Sequence, residues 1–204
     1  MRRRQPGARP VLSWLRASLA ADSGRREVRK TVTVVFSDLV GSTPLGERLD
    51  PESLREVVTR YYDRAAEVLT RHGGTVAKFI GDAVMAVYGI PSLHEDDALR
   101  AVRGASELGD ALAELNAELQ ATLGVRLALR TGVNTGELVV GNLVHGQDVV
   151  VGDAVNVAAW LEQAAGPGEV LIGERTWRLV RDAVTVEPVA SLALKGKGDP
   201  HPSR

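Results

Sequence analysis

Two aspartates stand where apolar runs break, and their surroundings suit metal-bound phosphate. Asp38 closes Val32-Thr33-Val34-Val35-Phe36-Ser37-Asp38. Asp82 follows Val76-Ala77-Lys78-Phe79-Ile80-Gly81 and precedes a second apolar run, Ala83 to Tyr88. Directly after Asp38, Leu39-Val40-Gly41-Ser42-Thr43 makes a small-residue turn into a helix-like stretch. A carboxylate at a strand end, beside the free N–H groups of a helix start, can hold a metal-bound polyphosphate. Two such carboxylates on neighbouring strands could hold two hard cations. One aspartate so placed is more often a turn former or a helix cap. The pair, each in this local sequence, favours the metal reading.

The elements that must position them follow from periodicity. Asp50-Pro51 reads as an N-cap and first helical residue. Leu54, Val57, Val58, Tyr61, Tyr62, Ala65, Val68 and Leu69 then recur at helical spacing, and His72-Gly73-Gly74 stops the helix. Runs at 75–80 and 83–88 predict a hairpin with Asp82 at its tip. Ser92-Leu93-His94-Glu95 predicts a capping box ahead of a helix that carries Leu99 to Leu119 on one face. Strands are expected at 125–133 and 136–142, with Asn134-Thr135-Gly136 between them. A helix follows from Gly152-Asp153 to about Ala165. Beyond it are Val170 to Ile172, a helix near 174–181, and strand-like runs near 184–188 and 191–194. This order predicts an α+β fold with a ferredoxin-like βαββαβ core and helices packed on one face of an antiparallel sheet.

The chain has 204 residues, enough for one domain with a sizeable core. Aromatics are only 4%, so Val, Leu and Ala must fill that core. There is no cysteine, which excludes disulfides and thiolate metal sites and fits a cytoplasmic setting. Oxygen or His ligands remain, favouring Mg²⁺ or Mn²⁺. The net charge of −1 hides an asymmetry: residues 1–30 carry nine Lys/Arg against two Asp/Glu, and the remainder is acidic. Residues 1–30 read as a basic, flexible or partly helical extension, with ordered structure from near Thr31. The run from Val11 to Ala21 is too short and interrupted to span a bilayer, and Arg16 spoils its likeness to a secretory signal. The acidic remainder and the scarce aromatics argue against a nucleic-acid partner.

Five segments in order resemble the class III nucleotidyl cyclases, the bacterial adenylate/guanylate cyclase catalytic domains. They are Val35-Phe36-Ser37-Asp38-Leu39-Val40-Gly41-Ser42-Thr43, Lys78-Phe79-Ile80-Gly81-Asp82, Leu129-Arg130-Thr131-Gly132-Val133-Asn134-Thr135-Gly136, Gly152-Asp153-Ala154-Val155-Asn156-Val157-Ala158-Ala159 and Lys195-Gly196-Lys197-Gly198. The resemblance covers about residues 31–198 and leaves 199–204 as a tail. It implies conversion of ATP to 3′,5′-cyclic AMP and pyrophosphate at sites between the subunits of a head-to-tail homodimer. Asp38 and Asp82 would bind two Mg²⁺ or Mn²⁺ ions. Lys78 would read the base, favouring ATP over GTP. Asn156 would orient the ribose from the other subunit, and Gly41, Ser42, Thr43, Arg130 and Lys195 would hold phosphates.

Two departures stand out. The family places an arginine one helical turn after the asparagine, and here that residue is Trp160. Indole offers one N–H donor and no charge. Loss of a preorganised cationic donor costs about 10²–10³ in rate. The second base-specifying position is Val149, whose side chain cannot hydrogen-bond. Its neighbour Asp148 points to the opposite face of a regular strand. The expectation is therefore a cyclase with impaired turnover. The alternatives are a catalytically dead nucleotide-binding dimerisation module, or a heterodimer partner of an intact cyclase.

Overall fold

A computed structural model describes residues 28–144 and 147–189. In chain order the elements are β1 (Val28–Val40), α1 (Ser42–Arg48), α2 (Pro51–Arg71), β2 (Thr75–Ile80), β3 (Ala83–Tyr88), α3 (Asp97–Leu123), β4 (Ala128–Val144), β5 (Gln147–Val151), α4 (Asp153–Ala164), β6 (Val170–Ile172) and α5 (Glu174–Val180).

The strand order is β2-β3-β1-β4-β5, with β6 pairing parallel to β4. The four strands β4-β1-β3-β2 pair antiparallel throughout. With α2 and α3 they make the expected ferredoxin-like core. Along β1, residues alternate between two buried faces. Val35 and Leu39 join Val57, Tyr61, Val68 and Leu69 of α2 and Leu108, Leu112, Leu115 and Leu119 of α3 in the main core. Val32 and Val34 join Met85, Val87 and Leu138 under Ala154 and Ala158 of α4.

That second cluster corrects the expectation of helices on one sheet face. α4 covers the opposite face. It can lie close because β4 presents glycine there: a Cβ on Gly132 would sit 2.1 Å from the Ala158 carbonyl and 2.4 Å from the Glu162 nitrogen.

The two strands expected at 125–133 and 136–142, with Asn134-Thr135-Gly136 between them, are a single strand, β4. These residues are used sideways instead of turning the chain. Asn134 Nδ2 donates to the Ala154 carbonyl at 3.3 Å. The Thr135 hydroxyl meets those of Thr33 at 2.9 Å and Thr176 at 3.0 Å. Buried and bonded in this way, they keep the ladder extended across to β1.

Smaller differences have local causes. β1 begins at Val28, three residues before Thr31, because Val28 to Lys30 find partners at Val140 to Leu138. The Ser92 capping box does not form. The helix starts later, at Asp97, whose carboxylate accepts the His94 N–H at 2.8 Å and pairs with Arg100. No strand spans 184–188: the chain turns after α5 through Val184 N–H to the Val180 carbonyl. The outer edge of β4 is already taken by β6 and β5. Helix α2 starts as its sequence predicts, with Asp50 accepting from the N–H groups of Glu52 at 3.1 Å and Ser53 at 3.0 Å. The strand expected at 191–194, residues 1–27 and the 199–204 tail lie outside the described residues. No described helix is long and apolar enough to cross a membrane.

Candidate active site

The two aspartates come together at one end of the sheet. β1 and β3 run antiparallel with Ser37 opposite Val84, so Asp38 lies one step beyond that pair and Asp82 two residues before Val84. Asp82 sits in the two-residue turn between β2 and β3, and Gly41, directly beyond β1, opens α1. The carboxylates share one electrostatic neighbourhood. Both act on Tyr61, Tyr62, Arg130 and Glu162.

Asp38 is tied across the sheet. It pairs in register with Arg130 on β4, and the guanidinium Nη2 donates to Asp38 Oδ2 at 2.7 Å. Arg130 Nε also lies 2.5 Å from Glu162 Oε1 of α4, at an angle that makes an ion-pair contact and not a hydrogen bond. The close seat of α4 over Gly132 brings Glu162 to this point. Glu162 is 3% exposed. Burial pushes its carboxyl up to about 7; Arg130 pulls it back, and the nearby Asp38 and Asp82 charges push it further. Asp38 in turn holds Arg130 more firmly protonated. Two acidic side chains, Asp38 and Glu162, thus contact one guanidinium, and the Asp82 charge acts on the same group.

The remaining expected residues that are described lie on separate elements. Lys78 is exposed on the edge strand β2, beside exposed Phe79 and Ile80. It does not share a strand face with Asp82: β2 ends at Ile80, and its pairing with β3 shifts register between Val76 and Lys78. Asn156 and Trp160 lie on α4 opposite its buried residues Ala154, Ala158, Leu161 and Glu162. Asn156 is exposed and Trp160 half-buried. They face away from the Asp38 cluster, which the inner side of the same helix touches through Glu162. Ser42 and Thr43 occupy the first turn of α1. Val149, on β5, pairs with Gly141 of β4. Lys195 and Lys197 lie outside the described residues.

Sequence reasoning missed Glu162. No spacing signal marks it, because the apolar residues of α4 run nearly all round the helix and leave its buried side unannounced. It also placed Tyr61 and Tyr62 only among the core-facing residues of α2.

The fold and this cluster define a nucleotidyl cyclase domain. A family model for the adenylate and guanylate cyclase catalytic domain matches residues 25–201, and the chain belongs to that family. It resembles the adenylyl cyclase CyaB from P. aeruginosa (33% identity, TM-score 0.82, covering 86% of this chain and 92% of that one). It is also similar to the guanylyl cyclase Cya2 (36% identity, TM-score 0.81, covering 85% and 90%). Among curated relatives, Adenylate cyclase 1 of Rhizobium meliloti is 30% identical over 179 residues, covering 85% of this chain and 27% of that protein. The chain spans well under half the length of the curated relatives it matches.

Proposed function

We propose that this domain cyclises ATP to 3′,5′-cyclic AMP, with turnover limited by Trp160. The observation that carries the reading is the shared neighbourhood of Asp38 and Asp82, at the sheet end where the 35–43 and 78–82 segments meet. In the reaction the ribose 3′-oxygen bonds to the α-phosphorus, the bond from that phosphorus to the bridging β-oxygen breaks, and pyrophosphate leaves with that oxygen. The 3′-hydroxyl proton is released.

Among the described residues no three His, Asp or Glu side chains gather as a ready metal cluster. The donor set still fits hard cations. Asp38 and Asp82 offer oxygen only, and triphosphate oxygens would complete the shells. Two Mg²⁺ or Mn²⁺ ions bound there would supply charge neutralisation at the α-phosphate and a lowered pKa at the 3′-hydroxyl. The chain's own residues do the rest. Asp38 is aimed by Arg130, which would turn toward the polyphosphate as positive charge arrives at Asp38. Gly41, Ser42 and Thr43 would present the helix start to phosphate, and Lys195 would add a cation.

Asn156, exposed, and Trp160, half-buried, lie on the outer side of α4, as a site completed by a second copy requires. The supported assembly is a head-to-tail homodimer, in which Asn156 orients the ribose of the partner's nucleotide and Lys78 reads its base. The relatives include both an adenylyl and a guanylyl cyclase, so the preference for ATP rests on Lys78. With no cysteine in the chain, a cytoplasmic setting, where nucleotide triphosphate is plentiful, suits this chemistry.

Trp160 favours a second reading: a nucleotide-binding regulatory module, or a subunit that lends Asp38 and Asp82 to an intact homologue. One experiment separates them. Cyclic nucleotide is measured from Mn²⁺ with ATP, or with GTP, for wild type beside Trp160→Arg. A rise of about 10²–10³ in the variant supports a disarmed cyclase. A flat, near-zero rate in both, with metal-dependent nucleotide binding retained, selects the module.

A further inference from the structure

Helix α2 carries two consecutive tyrosines, and each reaches the peptide group immediately ahead of one of the paired aspartates. The Tyr61 hydroxyl donates to the Ser37 carbonyl at 3.4 Å. The Tyr62 hydroxyl donates to the Gly81 carbonyl. Neighbouring helix residues diverge by about 100°. Tyr61 therefore runs beneath the sheet, 1% exposed, while Tyr62 leans along its edge toward the hairpin tip. The rings are coupled, Tyr61 to Tyr62 at 5.6 Å between centroids and Tyr62 to Phe79 of β2 at 4.4 Å.

We propose that Tyr61 and Tyr62 are a matched pair of positioning residues that set the two metal-binding carboxylates, Tyr61 for Asp38 and Tyr62 for Asp82. The inference rests on the metal reading of those aspartates given above. A carbonyl and the following Cα lie in one rigid peptide plane. Fixing the Ser37 carbonyl therefore fixes where the Asp38 side chain starts, and the Gly81 carbonyl does the same for Asp82.

The second case is the more exacting. Gly81 has φ +65° and open space where a side chain would be, so nothing packs on it to hold the turn. Tyr62 supplies the hold, and its ring against Phe79 joins the hairpin to α2. A single rigid helix thus sets the relative position of two carboxylates that arrive on separate segments, 44 residues apart in sequence. Burial and the two nearby carboxylates raise the titration of both hydroxyls, so they stay protonated and remain donors.

The test is Mn²⁺ uptake by the full chain with a non-hydrolysable ATP analogue, followed by the paramagnetic signal of free Mn²⁺, with thermal unfolding measured in parallel. The variants are Tyr61→Phe, Tyr62→Phe and, as control, Tyr88→Phe. Tyr88 is a buried tyrosine whose hydroxyl donates to the Leu69 carbonyl at 3.2 Å in the main core. Each of the first two should weaken Mn²⁺ binding about 10-fold or more, as loss of an outer partner of a metal ligand does. Tyr88→Phe should lower the melting temperature and leave Mn²⁺ affinity alone. Wild-type Mn²⁺ affinity in both site variants overturns the proposal. So does an equal loss in Tyr88→Phe, which would make the effect one of general stability. If wild type itself takes up no Mn²⁺, the metal reading of Asp38 and Asp82 falls, and this pairing with it.

Discussion

Replacing Gly132 with alanine tests how tightly α4 is seated on β4 and what that seat holds in place. The added Cβ would lie 2.1 Å from the Ala158 carbonyl oxygen, 2.4 Å from the Glu162 nitrogen and 3.0 Å from the Leu161 Cβ. Ordinary contact begins at 3.4 Å, so the nearest gap falls short by 1.3 Å. The first two atoms are helix backbone and cannot rotate aside; the whole helix must lift by about that much. Glu162 Oε1, now 2.5 Å from Arg130 Nε, is then carried to about 3.8 Å, close to the roughly 4 Å limit of an ion pair. Overpacking of this kind costs about 1–3 kcal/mol. In a domain of this size each kcal/mol lowers the melting temperature by about 2–4 °C, so the expected fall is roughly 2–12 °C. Thermal unfolding of Gly132→Ala is read against Gly109→Ala, at a helical site where a Cβ meets nothing within 4 Å. The latter should hold or gain stability, since alanine outranks glycine in a helix by about 1 kcal/mol. Equal melting temperatures for Gly132→Ala and wild type would refute the close packing of α4 and, with it, the placement of Glu162.

Outcomes are also expected at Glu162 and at Asp50. Glu162→Ala strips Arg130 of one counter-charge and empties a buried position. Breaking a fully buried pair costs about 3–5 kcal/mol, and the Arg130 side chain is 31% exposed, so a loss of about 1–2 kcal/mol is expected by denaturant unfolding. A chain as stable as wild type would show that the contact contributes nothing. Asp50 caps α2, and its bonds to Ser53 hold its carboxyl below the usual range. Its folded-state pKa is depressed, so its stabilisation is complete above the unfolded value and fades as pH falls through the folded one. Asp50→Asn keeps an acceptor and should remove that acid-side slope, whereas Asp50→Ala should lower the melting temperature at neutral pH as well. Parallel melting-temperature curves for wild type and Asp50→Asn between pH 2 and 6 would contradict the assignment.

What the amino-acid string made legible was local. The runs ending at Asp38 and flanking Asp82 alternate and break as strands do, so both carboxylates could be placed at element ends. The cap at Asp50-Pro51 and the glycine stop after His72 were equally plain. Lateral use of polar residues was not legible. Asn134-Thr135-Gly136 has the composition of a turn, and its ladder with Val32 to Val34 of β1, together with side-chain partners at Ala154, Thr33 and Thr176, keeps it extended. The face chosen by α4 was hidden too, because Ala154, Val155, Val157, Ala158 and Ala159 are apolar nearly all round and give no strong direction. The tie from Asp38 to Arg130 spans 92 residues and depends on a strand register that no short window contains. Tyr61 and Tyr62 carry the helical spacing of core residues, and nothing in that spacing says where their hydroxyls end.

Helix α4 is a beam loaded on both sides. Its under-surface props the guanidinium that steadies one carboxylate, and its upper surface offers an amide and an indole to whatever lies across from it. A ligand that draws Arg130 away strands a charge beneath the beam, and the relief available is for the beam to shift. Occupancy below would then be felt above without any hinge or loop to carry the message.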